Sequence, residues 1–220
     1  MTAANSMATS AGQPQWVHAY VTGTGPVVVA LHGLGGAETD MVSLAQQLAA
    51  DALVIAPRAG VLERGIHRWV PRSKPRTKKQ SGLIETTGKL AAFISETILE
   101  QRLESRPVIV TGFSSGADIA LALGILHPGL VDAVVSFSGT YPLGDLDVPD
   151  GLEGERFLLV GSDGDTGTDG MTLPRLAAEL EARHALAAVR VRPGGRQITA
   201  TDVATARTWL GEQFPEADGL

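Results

Sequence analysis

Residues 112–116, Gly-Phe-Ser-Ser-Gly, have the G-x-S-x-G spacing that can present a serine hydroxyl as a nucleophile. The chemistry asks for these types for a steric reason. A serine exposed on a sharp strand-to-helix turn needs glycines two residues to either side, so that the helix can pass close to the strand. The surrounding residues, PVIVTGFSSGADIALAL, read as apolar strand, tight turn and helix, which makes Ser114 the candidate nucleophile. The N-terminus of that helix adds partial positive charge where an oxyanion would develop. Taken alone, the pentapeptide also fits a glycine-rich turn with incidental serines; its place between a strand and a helix favours the first reading.

A second stretch, VVVALHGLGG, puts His32-Gly33-Leu34-Gly35-Gly36 at the end of an earlier strand. A glycine-rich loop there can aim backbone N–H groups at the serine. The N–H groups of Leu34 and Ser115 would form a two-donor oxyanion hole. The loop lacks both the G-K-[ST] ending of a P-loop and the G-x-G-x-x-G spacing, so it does not read as a phosphate cradle.

The elements that must position these residues alternate. Strand-like apolar runs cover 26–32, 52–57, 107–112, 131–139, 156–161 and 187–192, with His18 on a first strand before them. Helical patterns lie at 39–51, 86–104, 115–127, 173–185 and 199–214. Most strand runs are apolar at consecutive positions, as strands covered on both faces are. This alternation predicts an open, mostly parallel α/β sheet flanked by helices, with function in the loops at the carboxyl ends of the strands. One domain over residues 16–220 is expected, with residues 1–15 a disordered tail.

Bulk composition narrows the function classes. The 44% hydrophobic and 19% charged content is that of a globular chain. A net charge of −6 argues against general nucleic-acid binding, and the absence of cysteine removes thiolate chemistry and thiolate metal sites. Neither a secretory leader nor a membrane span is visible, so a cytoplasmic location with no membrane partner is expected. No metal or cofactor is expected: the acidic loop GSDGDTGTDG fails the spacing of a calcium-binding loop.

These motifs together resemble the small phospholipase/carboxylesterase group of the α/β-hydrolases, which includes acyl-protein thioesterases and bacterial carboxylesterases. LHGLGGAETDM is similar to that group's first loop, with Glu38 and Asp40 in its acidic positions. APRAGVLERGIHRWVPR is similar to the next loop, GFSSGADIA to the nucleophile elbow, and PGGRQITATDVATARTWL to the final loop and helix. The resemblance covers almost everything from residue 26 to 212 and implies a single-domain fold with no large lid. It also implies a Ser–Asp–His triad along the chain. Ser114 matches the nucleophile; Asp165 is the first choice for the acid and Asp163 the second.

The third member departs. Where the family has histidine after Gly194-Gly195, this chain has Arg196. A guanidinium stays protonated near neutral pH and offers no lone pair, so it cannot take the serine proton. Of the five histidines, His32 is expected to serve the loop structurally, and His127 and His184 to lie at the surface. His67, in GIHRWVPR, is the one candidate for a replacement base on the active-site rim. Arg196 could instead salt-bridge Asp165, or bind a carboxylate or enolate.

Substrate contacts on the rim would come from Trp69, Arg72 and Lys74, the last two within the basic run RSKPRTKK (72–79). That run is either a solvated face or an attractor for an anionic ligand, an acyl-carrier phosphopantetheine included. The leading expectation is therefore a carboxylesterase- or thioesterase-like hydrolase of a small acyl or ester substrate with an incomplete triad. The alternatives are a non-hydrolytic lyase, cyclase or isomerase using Arg196, and a catalytically silent binding protein.

Overall fold

The structure is a computed structural model that describes residues 16–72, 76–144, 151–163 and 171–215. The expected tail at 1–15, Asp165 and Lys74 lie outside these residues.

Seven strands form the central sheet: β1 (His18–Val21), β2 (Val27–Leu31), β3 (Leu53–Pro57), β6 (Val108–Phe113), β7 (Ala133–Phe137), β8 (Arg156–Ser162) and β9 (Leu186–Arg192). Their spatial order is β1-β3-β2-β6-β7-β8-β9, parallel throughout except for the β1 edge, which pairs antiparallel with β3. The expected mostly parallel sheet is therefore present. Its inner strands β2, β3 and β7 are buried along their whole length, as strands covered on both faces are, whereas the edge strands β1 and β9 are only partly buried.

Along β2, Val27, Val29 and Leu31 enter one core, and Val28 and Ala30 enter the other. The first core is closed by α2 (Arg76–Glu100), α3 (Ser115–Leu126) and α4 (Leu173–Glu181). The second is closed by α1 (Val42–Leu48) and α5 (Ala200–Gln213), which supply Leu44, Ala45, Leu48, Trp209 and Leu210.

Two features differ from the sequence expectation. Helix α2 begins at Arg76, ten residues before the predicted start, so the end of the basic run lies within its first turn. Ser81-Gly82 reads as a breaker in sequence, yet Gly82 is a point of close approach. A Cβ there would sit 2.9 Å from Val70 Cγ1 and 3.6 Å from Pro71 Cδ. The segment expected as a plain loop also contains a small antiparallel hairpin, β4 (Val61–Glu63) and β5 (Ile66–Arg68). Its two-residue turn, Arg64-Gly65, has both φ angles positive at 51° and 79°, the backbone that fits the twist of a tight hairpin.

Because six strands run parallel, their carboxyl ends lie along one edge. Neighbouring ends are tied there by backbone hydrogen bonds: Ser114 N–H to Phe137 O at 2.9 Å, Ser138 N–H to Val160 O at 2.8 Å, and Asp163 N–H to Arg192 O at 2.9 Å.

Candidate active site

Ser114 follows β6 directly and caps α3, with φ 51° and ψ −116°. A non-glycine residue held at positive φ is strained, and strain of this kind persists only where the surroundings enforce it. Here they do. A Cβ on Gly112 would overlap the backbone of Gly116 and Ala117, and one on Gly116 would overlap the carbonyls of Leu31 and His32. The two glycines let α3 press against β6 and β2, and the serine between them is left half-buried at the turn.

Gly116 thereby brings the loop after β2 against the elbow. Among the described residues the Leu34 N–H has no backbone acceptor. Ser115, as the first residue of α3, has no intrahelical acceptor for its own N–H. The sequence paired these two N–H groups as oxyanion donors; both lie on the edge that carries Ser114.

The Arg196 loop crosses to the same place from the far side of β8. Arg196 Nη2 donates to Ser138 O at 2.8 Å, and Ser138 Oγ donates to the Arg196 carbonyl at 3.1 Å. Ser138 directly follows β7, and Phe113 pairs with Phe137 in register. The carbonyl that receives the guanidinium therefore belongs to the strand end next to Ser114, about 4.8 Å away in strand spacing. The Arg196 guanidinium is thus hydrogen-bonded at the end of the strand that neighbours the one leading to Ser114.

The loop is held from beneath by Arg192, which sequence reasoning missed. Its Nε contacts both Asp202 oxygens at 3.1 and 2.9 Å, its Nη1 donates to Pro193 O at 3.2 Å, and its Nη2 donates to the Gln197 carbonyl. Asp202 also closes a capping box with Thr199 at the start of α5. The T-x-x-D spacing of Thr199 and Asp202 was the available signal. Asp163 adds a further tie, its Oδ1 accepting from Gly194 N–H at 3.3 Å.

Asp202 makes the anchor pH-sensitive. Burial pushes its carboxyl up, but the Thr199 and Arg192 hydrogen bonds outweigh burial and hold it below the ordinary carboxylate value. A carboxylate whose folded pKa is depressed stabilises the fold fully above its unfolded value; that contribution is lost as pH falls through the lower, folded one. The expected result is a stability that declines below about pH 4 through this group. In Asp202→Asn, stability at pH 7 drops by about 1–3 kcal/mol and that part of the acid slope flattens. Urea unfolding at a series of pH values checks both.

His67 sits on β5 with its Nδ1 donating to Ala59 O at 3.0 Å and its carbonyl accepting from Gly35 N–H at 3.0 Å. Among the described residues neither His67 nor any other imidazole hydrogen-bonds to the Ser114 hydroxyl. Trp69 is 3% exposed, and its Nε1 donates to His32 O at 2.8 Å. Expected on the rim, it lies inside because its indole pins the loop after β2. Arg72 is exposed and donates its backbone N–H to the Glu63 carboxylate. His127 caps α3 half-buried, and His184 lies past the end of α4 in a turn at φ 70° rather than on the helix.

Comparison with known proteins finds counterparts of this fold. Residues 17–146 match the phospholipase/carboxylesterase family. That span contains the loop after β2, the hairpin and Ser114, and ends before the Arg196 loop. The chain is 29% identical over 196 residues to "Putative hydrolase MhqD" of Bacillus subtilis (strain 168), covering 89% of this chain and 98% of that one. The crystal structure of the Bacillus cereus carboxylesterase superposes with a TM-score of 0.82 at 25% identity, over 90% of this chain and 95% of that one. A carboxylesterase from Mesorhizobium loti is 30% identical with a TM-score of 0.74, over 84% of this chain and 88% of that one. Among the described residues no helix is long and apolar enough to cross a membrane. The chain belongs to the phospholipase/carboxylesterase family of the α/β-hydrolases, a family of hydrolytic enzymes.

Proposed function

We propose that the chain hydrolyses a small acyl ester or thioester bearing an anionic group, through Ser114 and without an imidazole base. The observation that carries this reading is the strained Ser114 at φ 51°, at the N-terminus of α3 between two glycines that tolerate no side chain. With ψ at −116° the serine lies outside the left-handed α region that ordinary turns use, and holding a non-glycine residue in so sparsely populated a region costs of order 1–3 kcal/mol.

In this reading Ser114 Oγ attacks the substrate carbonyl carbon. The carbonyl oxygen takes the negative charge and is held by the Leu34 and Ser115 N–H groups. The serine proton passes to solvent, and the alkoxide or thiolate leaves and is protonated by water. Water then attacks the acyl-serine and releases the carboxylate. Arg196 serves as a fixed cation: its planar fork can hold a carboxylate on the substrate and favours negative charge beside Ser114. Asp165 remains the proposed acid of the site, with Asp163 as its alternative.

Losing the triad histidine costs a serine hydrolase on the order of 10⁶ in turnover, whereas the oxyanion hole and binding alone retain about 10³–10⁴ over water. A slow esterase is therefore expected. Ser114→Ala should abolish that turnover on p-nitrophenyl acetate; equal turnover in the two proteins would remove the reading.

A further inference from the structure

The Gly33–Leu34 peptide is the one whose N–H the proposed oxyanion hole uses, and its carbonyl side is held by a histidine and, at the longer distance of 3.1 Å, by the Gly36 N–H. His32 Nδ1 lies 2.7 Å from the Gly33 carbonyl oxygen. His32 Nε2 lies 2.9 Å from the Ala59 amide nitrogen. A carbonyl only accepts and an amide N–H only donates, so the ring carries its proton on Nδ1 and is neutral. At 1% exposure, burial also pushes the imidazole's pKa down, more than the Gly33 contact and nearby Asp40 raise it.

In a trans peptide the C=O and N–H point in opposite directions. Fixing the Gly33 carbonyl on His32 therefore fixes the direction of the Leu34 N–H. A hydrogen bond accepted by the carbonyl also polarises the amide and strengthens its N–H as a donor.

His32 is itself held by the segment around the β4–β5 hairpin. Ala59 donates to its ring and Trp69 Nε1 to its carbonyl at 2.8 Å, while the Trp69 ring lies 5.1 Å from the imidazole. His67 donates from Nδ1 to Ala59 O and receives Gly35 N–H on its own carbonyl. The hydrogen bonds thus run from the hairpin through Ala59 and His32 to one peptide group.

We infer that neutral His32 is the positioning residue of the oxyanion hole, aiming the Leu34 N–H by holding the opposite side of its peptide. This rests on the hydrolase reading above. It assigns the buried histidine a part in turnover that involves no proton transfer and no contact with substrate.

The test has two arms. Nitrogen-15 imidazole spectra of the native protein at pH 7 should show His32 protonated on Nδ1 and neutral; a proton on Nε2 overturns the inference without any variant. In the second arm, His32→Phe keeps an aromatic ring of similar size and deletes both ring hydrogen bonds, while His32→Asn retains an N–H donor near the Nδ1 position. With p-nitrophenyl acetate, His32→Phe should lower kcat by about 10- to 100-fold at nearly unchanged KM, and His32→Asn should recover most of it. Circular dichroism at the assay temperature checks that both are folded. Unchanged kcat in His32→Phe, or equal losses in the two variants, overturns the inference. Ser114→Ala run beside them reports on the hydrolase reading alone. Turnover that survives in Ser114→Ala removes both; turnover lost there but kept in His32→Phe removes only the role of His32.

Discussion

Arg196→His raises kcat for p-nitrophenyl acetate by about 10²- to 10⁴-fold, the range that a positioned general base contributes. The loop is prepared to present the new side chain, because the groups that hold it are not those being changed. Arg192 clamps Pro193 and Gln197 from below against Asp202, Asp163 receives Gly194 N–H, and Ser138 Oγ donates to the backbone carbonyl of residue 196. The bond lost is the one from Arg196 Nη2 to Ser138 O. The pH dependence should change with the rate. A serine that surrenders its proton to solvent gives a rate that climbs with hydroxide, whereas an imidazole base gives a profile that levels off above its own titration. Substrate preference should move the other way. Between two esters that differ by a free carboxylate, the native protein should favour the charged one. Arg196→His should lose about 10- to 100-fold of that preference, the worth of a hydrogen bond to a charged group. An Arg196→His protein no faster than the native one would mean that position 196 does not face Ser114.

Gly116→Ala is expected to cost at least about 3 kcal/mol, a large share of the 5–15 kcal/mol that holds a domain together. The added methyl would meet the carbonyls of Leu31 and His32, the backbone of a central strand. No rotamer change relieves that overlap, so α3 must move away from β2 and take Ser114 with it. Gly88→Ala is the control. Gly88 lies within α2 with open space where a Cβ would go, and the substitution should stabilise by about 0.5–1 kcal/mol. Urea denaturation of the two variants should shift the midpoint in opposite directions at similar slope.

Much of this arrangement is legible in the sequence because it depends on local chemistry. Runs such as VVVAL and FLLVG have to be buried on both faces, and the G-x-S-x-G turn needs its glycines, so the parallel sheet and the elbow can be read directly. Hairpin β4–β5 escapes notice because its strands are three residues long, although Arg64-Gly65 is a turn signal. The early start of α2 is hidden by Gly82, which is present to let Val70 pass and not to end a helix. Residues whose part is played by the backbone leave little trace in sequence. Ser138 matters for the carbonyl it offers to Arg196, and Ala59 for its N–H on His32; neither side chain type announces this. Trp69 looks like a rim aromatic until its indole is seen to be used inside, on the His32 carbonyl.

The account stands on Ser114 as the nucleophile of a hydrolase that works without an imidazole. Steady-state hydrolysis of p-nitrophenyl acetate by the native protein and by Ser114→Ala, at matched concentration and with folding checked, tests that most directly. The expected result is slow, saturable turnover in the native protein and a rate no higher than the buffer's in Ser114→Ala. Equal turnover in the two proteins would contradict it, because the ester would then be cleaved by a group other than the elbow serine.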